Sequence, residues 1–411
     1  MLIQFKCKNF TSFKNETVFD MTAIEAYKEH PYNLIKEEGN ERYLKVAAIY
    51  GANASGKSNF IYAFKAFKEI VMFSFRNSSL SIRLRDMDEE TTILDKWYRP
   101  YASSKDPVEF EGYFANEEYE FQYGFSFNNE CILEEWLYRK PKVKNGRKQT
   151  ILERQYGEEV YLGEYAGTES RKYVDQVEEN VLLLTFLSSL KIDENIFKDV
   201  TMIIFSVLLI TGERLTAQVR GRMYERRLAL YLKSYQDSST KWNEFKKFIA
   251  AIDVGIIDIS LEEKTERDIR VYAHHLSETG ETIKFPIGWE SSGTLKAIMF
   301  YFSACEAIDS KGVVIADELD VNFHPLLLKF FVDMFEKQQN KAQLIYTAHD
   351  TTLMDKKYFR RDQIWFVEKN EFGISNLYAL SDFKIRQDAA FEKDYLGGVY
   401  GAIPILKEFW S

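Results

Sequence analysis

Residues 51–58 read G-A-N-A-S-G-K-S, and Gly51, Gly56, Lys57 and Ser58 fill every fixed position of a phosphate-binding loop, G-x-x-x-x-G-K-[ST]. Glycine at both ends lets the backbone N–H groups of Ala52, Asn53, Ala54 and Ser55 close around phosphate oxygens. Lys57 brings a positive charge toward the β- and γ-phosphates, and Ser58, followed by Asn59, offers a hydroxyl to Mg²⁺. A second constellation is V-V-I-A-D-E-L-D, residues 313–320. Four apolar residues lead to Asp317, at the end of a strand where ligands bind in open α/β sheets, so its carboxylate can share Mg²⁺ with Ser58. Glu318 points in a different direction, as adjacent residues do, which suits a group that polarises an attacking water.

Two weaker constellations follow the same logic. In E-S-S-G-T-L-K, residues 290–296, Ser291, Ser292 and Gly293 open a helix with hydroxyls, free N–H groups and a positive dipole end suited to an anion. The plainer reading is an N-cap by Ser291 or Ser292. In Q-L-I-Y-T-A-H-D, residues 343–350, a strand ends at Thr347, and His349 can hydrogen-bond a γ-phosphate or a water, although a lone histidine is more often structural.

The elements that must hold these residues can be read from periodicity. Residues 45–50 are strand-like, and residues 58–71 are helical, with Phe60, Ala63, Phe64, Phe67 and Ile70 near helical spacing. Short strands are expected in residues 1–20, a charged surface loop over 25–42, and another loop region over 77–95. An antiparallel meander rich in Phe and Tyr is expected over 108–139, followed by the Asn145-Gly146 hairpin turn. Helices are expected over 224–235, 242–252 and 288–310, and strands over 256–262, 269–275, 312–316, 343–347 and 363–367. Strand–helix alternation interrupted by a long insertion argues an α/β fold. The expected division is 1–165 with the phosphate loop and the meander, 166–255 as a helical insertion, and 256–411 with the remaining motifs.

The chain has 411 residues, 45% hydrophobic and 15% aromatic, which indicates a globular protein with a large core. Its net charge of -9 gives no global argument for nucleic-acid binding. Two basic groups, residues 140–148 and Arg214, Arg220, Arg222, Arg226 and Arg227, could track a phosphate backbone, with Trp136 and Tyr138 beside the first; solvated faces are the commoner reading. Cys7, Cys131 and Cys305 suit neither a zinc site nor a disulfide framework and fit a reducing cytosol. The apolar stretches 181–190 and 202–210 are too short to span a bilayer and read as buried segments, so a cytoplasmic protein without membrane partners is expected. Asn340-Lys341-Ala342-Gln343 lacks the Asp of a guanine-reading N-K-x-D.

The order of the four constellations resembles the ABC-type ATPase head of SMC, RecF-like and OLD-like proteins. That resemblance implies a P-loop NTPase fold with an antiparallel β subdomain and a helical insertion, using ATP and Mg²⁺. It implies that Ser291 and Gly293 form a signature loop touching the γ-phosphate bound to a second copy in a homodimer or larger homo-oligomer. Asp320 would then lie in the dimer-interface loop, and His349 would be the switch histidine. E-S-S-G-T-L-K, D-E-L-D-x-x-x-H-P-L-L, T-A-H-D-T-T-L-M-D and R-R-D-Q-I-W-F-V-E-K-N look like the AAA-type ATPases of bacterial abortive-infection operons, of AbiLi and RloA type, over residues 1–70 and 256–406. Val399 stands where such proteins carry Arg, and Thr347-Ala348-His349 replaces Thr-Thr-His. About 60 residues follow His349, too few for the nuclease domain of OLD-like proteins. A separate effector, a toprim-like nuclease encoded nearby, is what the resemblance implies. A DNA-binding ATPase of repair or maintenance is the alternative. Gln122 is the candidate for a γ-phosphate-sensing glutamine.

Overall fold

The computed structural model describes residues 1–37, 41–75, 92–193, 195–211, 222–252, 255–265, 268–336, 339–386 and 389–404. Its frame is a six-stranded sheet in the order Val207–Ile210, Val313–Ala316, Gln343–Thr347, Val46–Tyr50, Ile364–Lys369, Ser375–Ala379. The first five strands run parallel and the last is antiparallel. Parallel strands in a doubly covered sheet are buried on both faces, and all five residues of Val46–Tyr50 are buried. Because side chains alternate, this strand feeds two cores: Ala47 and Ile49 face one, while Val46, Ala48 and Tyr50 face the other.

The first core lies between the central sheet and a seven-stranded antiparallel sheet. That sheet carries the expected meander, Val108–Ala115, Tyr119–Phe127, Ile132–Pro141 and Gln149–Gln155, extended by Tyr161–Leu162 at one end and by Leu2–Lys8 and Thr17–Asp20 at the other. The helix Lys57–Phe73 is sandwiched there. Its Phe60, Phe64 and Phe67 surround Phe5 at ring-centroid distances of 6.0, 4.6 and 5.7 Å, and Phe67 stacks on Phe125 at 5.7 Å. Such aromatic packing fixes the helix axis and so the aim of its N-terminus. The second core lies across the sheet, where the helices Ser292–Ser310, Pro325–Glu336, Arg222–Gln236 and Ser239–Ile252 pack. Ser292–Ser310 is apolar almost all round because Phe302 is enclosed by Tyr231, Tyr235 and Phe245, each 4.9 Å away.

Several segments depart from the sequence expectation. Residues 25–42 are not simply a surface loop. The 3₁₀ turn Pro31–Asn33 and the hairpin Leu34–Lys36 with Arg42–Leu44 bury Asn33, Leu34 and Ile35. The Asn33 amide donates to Gln363 Oε1, and the segment ahead of it is tied down by Arg360, 1% exposed, whose guanidinium clasps the Asp362 carboxylate and donates to the carbonyls of Ile24, Tyr27 and Glu29. Residues 202–210 split into the end of the helix Ile196–Phe205, with Met202 exposed, and the edge strand Val207–Ile210. Thus the region 166–255 contributes a strand to the central sheet. The loop expected over 77–95 falls mostly outside the described residues, although 93–95 begin the short helix Ile93–Trp97.

Buried amides and carboxyls join the layers. The Gln343 amide accepts from Leu2 N at 2.7 Å and donates to Leu2 O and Leu44 O, so it completes the ladder of the other sheet. Gln363 donates to Val46 O and to Glu336 Oε1, each bond 3.0 Å or shorter. Glu336 is 3% exposed, and burial pushes its carboxyl up to about 8, with the Gln363 bond opposing. An unfolded glutamate ionises near 4.5, so the stability this carboxyl allows is complete below that value and drains as pH rises toward about 8. Glu336→Gln keeps the acceptor for Gln363 and removes the titration. It is expected to stabilise the protein by about 2–4 kcal/mol at pH 8 and by little at pH 4.5. Urea unfolding at both pH values checks this, and an equal effect at the two would refute it.

Candidate functional site: a phosphate loop and an acidic turn on one sheet edge

The phosphate loop leaves the central strand at Tyr50 and enters the helix at Lys57. Its conformation explains the glycines. A Cβ on Gly51 would collide with the carbonyl oxygen of Val367 on the neighbouring strand and sit 2.8 Å from Ser55 Oγ. Gly56, at φ 116°, is the N-cap, and a Cβ there would collide with Ser375 Oγ. Ala54 adopts φ 63° to complete the curl. The loop is propped from behind: Ser375 Oγ donates to Ser55 O at 2.6 Å and lies 2.8 Å from Ser12 Oγ, to which the Asn59 amide also donates. Asn59 therefore acts as scaffold in this arrangement, and Ser58 occupies the second helical position. The Ser55 hydroxyl is buried and has no hydrogen-bond partner among the described residues, and Lys57 Nζ folds back onto Gly51 O at 2.7 Å and Ala52 O at 3.1 Å.

The acidic turn lies two strands away. Asp317 follows Val313–Ala316 and is 6% exposed. The intervening strand ends at Thr347, whose hydroxyl donates to Asp317 Oδ1 at 2.6 Å and accepts from Glu318 N at 2.7 Å. Glu318 is half-buried, with a left-handed φ of 50°. A non-glycine residue in that region stores strain, a common property of functional positions. Asp320 Oδ2 accepts from the backbone N–H groups of His349 and Asp350 at 2.8 and 2.7 Å, so it fixes the turn that presents the exposed His349. Burial pulls the Lys57 ammonium below its ordinary value, while the charges of Asp317, Glu318 and Asp320 oppose that shift. The phosphate loop and the acidic turn thus share one electrostatic environment.

Ser291 is the N-cap of Ser292–Ser310; its hydroxyl accepts from Thr294 N at 3.0 Å and lies 2.8 Å from Thr294 Oγ1. The N-cap reading is therefore realised. Ser291 and Ser292 remain exposed and Gly293 is half-buried, which leaves the positive end of a 19-residue helix open to solvent.

The donor chemistry fits Mg-nucleotide. A buried lysine and an N-terminal helix turn suit polyphosphate, and Ser58 and Asp317 are of the hard-oxygen kind that could hold Mg²⁺ when phosphates provide the remaining ligands. Among the described residues no group of three or more His, Cys, Asp or Glu could hold a metal unaided.

Gln122 is placed elsewhere. Strand alternation puts it on the outer face of the seven-stranded sheet, where its amide donates to Glu111 and accepts from Lys148. The basic stretch after it is partly neutralised, Lys140 by Glu120 and Lys142 by Glu37, and Trp136 and Tyr138 bond to Glu111 and Glu153. Arg226 and Arg227 are exposed, whereas Arg214 and Arg220 and the Arg222 side chain lie outside the described residues. Ser12 and Ser375 carried no sequence signal, since contact between residues so far apart follows from the fold. Lys296 did carry one: a lysine inside an apolar helix.

A phosphate loop on an interior strand of a parallel sheet, facing an Asp-Glu turn across one intervening strand, defines a P-loop NTPase fold, here with an antiparallel β subdomain. Residues 46–355 match the family described as "AAA domain, putative AbiEii toxin, Type IV TA system", and the chain belongs to that family. No curated protein matches it. Among solved structures it is similar to an SMC head bound to the C-winged helix domain of ScpA, with 16% identity and a TM-score of 0.44 over 95% of this chain and 99% of that one. It is also similar to the SMC head domain from Thermotoga maritima (14%, 0.39, 92% and 98%). A third is the Smc head with an extended coiled coil bound to the C-terminal domain of ScpA from Pyrococcus furiosus (13%, 0.39, 97% and 99%). Among the described residues no helix is long and apolar enough to cross a membrane.

Thr347→Val removes a donor from Asp317 and an acceptor from Glu318 N while keeping shape. It is expected to cost about 2 kcal/mol of stability, and Thr347→Ser much less. Denaturant titration of the three proteins checks this; equal stability of the Val variant and the wild type would refute it.

Proposed function

We propose that the chain is an ATPase that dimerises around two Mg-ATP and that turnover gates a separate effector in defence against phage. The observation that carries the reading is the convergence of Lys57, Asp317 and Glu318 on one sheet edge, with the Ser291–Gly293 helix start left open to solvent. Lys57 leaves the Gly51 and Ala52 carbonyls to bind the β- and γ-phosphates. The loop N–H groups and the helix N-terminus hold the remaining oxygens. Mg²⁺ would be held by Ser58 and Asp317, and it supplies neutralisation of charge on the phosphates. Glu318 orients a water for in-line attack and takes its proton, and His349 contacts the γ-phosphate from the adjacent turn. A second copy presents Ser291 and Gly293 to the exposed side of the same phosphate.

Family membership supports nucleotide use, and the family description, with its reference to a toxin–antitoxin system, is in keeping with a defence role. The chain's motifs account for hydrolysis, and in this reading damage to phage or host falls to a partner such as a toprim-like nuclease. A location in the cytoplasm suits both ATP supply and reduced thiols.

Phosphate release at saturating Mg-ATP tests the chemistry. Glu318→Gln is expected to lower kcat by about 100-fold or more while still binding ATP; wild-type turnover in this variant would remove Glu318 as the base. Ser291→Arg is expected to abolish ATP-dependent self-association in sedimentation velocity, and intact association would defeat the shared site.

A further inference from the structure

Lys296 sits in the second turn of the helix Ser292–Ser310, between Leu295 and Ala297, and is 5% exposed. Its ammonium meets three carbonyl oxygens: Glu318 O at 2.8 Å, Leu319 O at 3.1 Å and Val321 O at 2.7 Å. An ammonium has three donors and no acceptor, so this set uses every one. All three acceptors belong to the turn that begins at Glu318. Two residues of that turn hold left-handed backbone, Glu318 at φ 50° and Asn322 at φ 67°. Curling a chain in this way brings carbonyl oxygens together, and a cation among them removes their mutual repulsion. The Phe323 ring closes the far side, 4.7 Å from Nζ. One turn earlier on the same helix, a Cβ on Gly293 would come within 2.8 Å of Asn322 O. The helix start therefore touches the turn at two places.

A buried ammonium among apolar neighbours is costly. Burial lowers Lys296 to about 8, with Asp320, Glu318 and Asp317 opposing. A lysine kept for packing alone would be better replaced by Leu or Met. What it does hold is the backbone of Glu318. The Glu318 N–H is fixed by Thr347 Oγ1 and its C=O by Lys296, so both peptide groups that set the direction of its side chain are pinned.

We propose that Lys296 is a positioning residue for hydrolysis: by gripping the turn from Glu318 to Val321, it holds the Glu318 carboxylate where it can activate water. This rests on the reading of the chain as an ATPase with Glu318 as base. Lys296 touches neither phosphate nor water, and acts through Glu318.

The test is a double-mutant cycle on the full chain, with Lys296→Met, Glu318→Gln and the pair. ATP affinity is read by calorimetry with a slowly hydrolysed analogue, and kcat by phosphate release. Lys296→Met is expected to keep affinity within about 3-fold while kcat falls by about 30-fold, and to change the residual rate of Glu318→Gln by less than about 3-fold. Equal losses in both backgrounds would mean a general structural role and overturn the proposal, as would an unchanged kcat. If the Met variant does not fold, Lys296→Arg runs the same cycle, because a planar guanidinium cannot aim three donors at converging carbonyls. Wild-type kcat in that variant also overturns it. A wild-type protein without ATP turnover defeats the ATPase reading and this inference together, whereas wild-type turnover that is indifferent to Lys296 defeats the inference alone.

Discussion

The hydroxyl of Thr347 donates to the Asp317 carboxylate and accepts from the Glu318 N–H, and that pair of bonds sets the geometry of everything else at the sheet edge. It is available because Gln343–Thr347 lies between the phosphate-loop strand and the acidic strand, paired in parallel with both. In a parallel sheet neighbouring strands finish on the same edge, so residues that share a function need no contact in sequence. A shift of one residue would turn Thr347 to the opposite face and leave Asp317 without its donor. Register, strand order and the acidic turn are therefore a single constraint.

The two cores maintain that constraint from opposite sides. The Phe-rich face of Lys57–Phe73 wedges against the antiparallel sheet, and the helices that carry Lys296 and Pro325 press on the other face. Between them the buried glutamines act as pins. Gln343 stitches Leu2 to the central sheet, and Gln363 joins Val46 to Glu336. Buried amides of this kind are high-stakes, because each satisfied bond becomes an unmet demand if the layers slide.

Local signals in the sequence were faithful wherever the chemistry is local. The turn between strand and helix at residues 51–56, the strand that ends before Asp317, the Ser291 cap and the meander of residues 108–139 all declare themselves through short-range spacing and period, and the structure has these elements there. What spacing could not convey is who stands behind them. Ser12 and Ser375 prop the loop from distant parts of the chain, and Arg360 ties down the backbone of the charged segment 24–29 through its carbonyls. The edge strand Val207–Ile210 was hidden because it continues the apolar pattern of the helix before it. Gln122 alternates with Phe121 and Tyr123 and so faces away from the aromatic core, where its amide meets Glu111 and Lys148.

The folded-back posture of Lys57 has a consequence for ligand choice. Its ammonium already has two carbonyl acceptors within 3.1 Å, so an incoming anion gains only the difference between its own attraction and theirs. A single small anion offers little over two well-placed carbonyls. A polyphosphate brings several oxygens at once and so has more to set against them. Any ligand that uses Lys57 must therefore draw its ammonium away from the Gly51 and Ala52 carbonyls, so engagement of the loop begins with an exchange of acceptors.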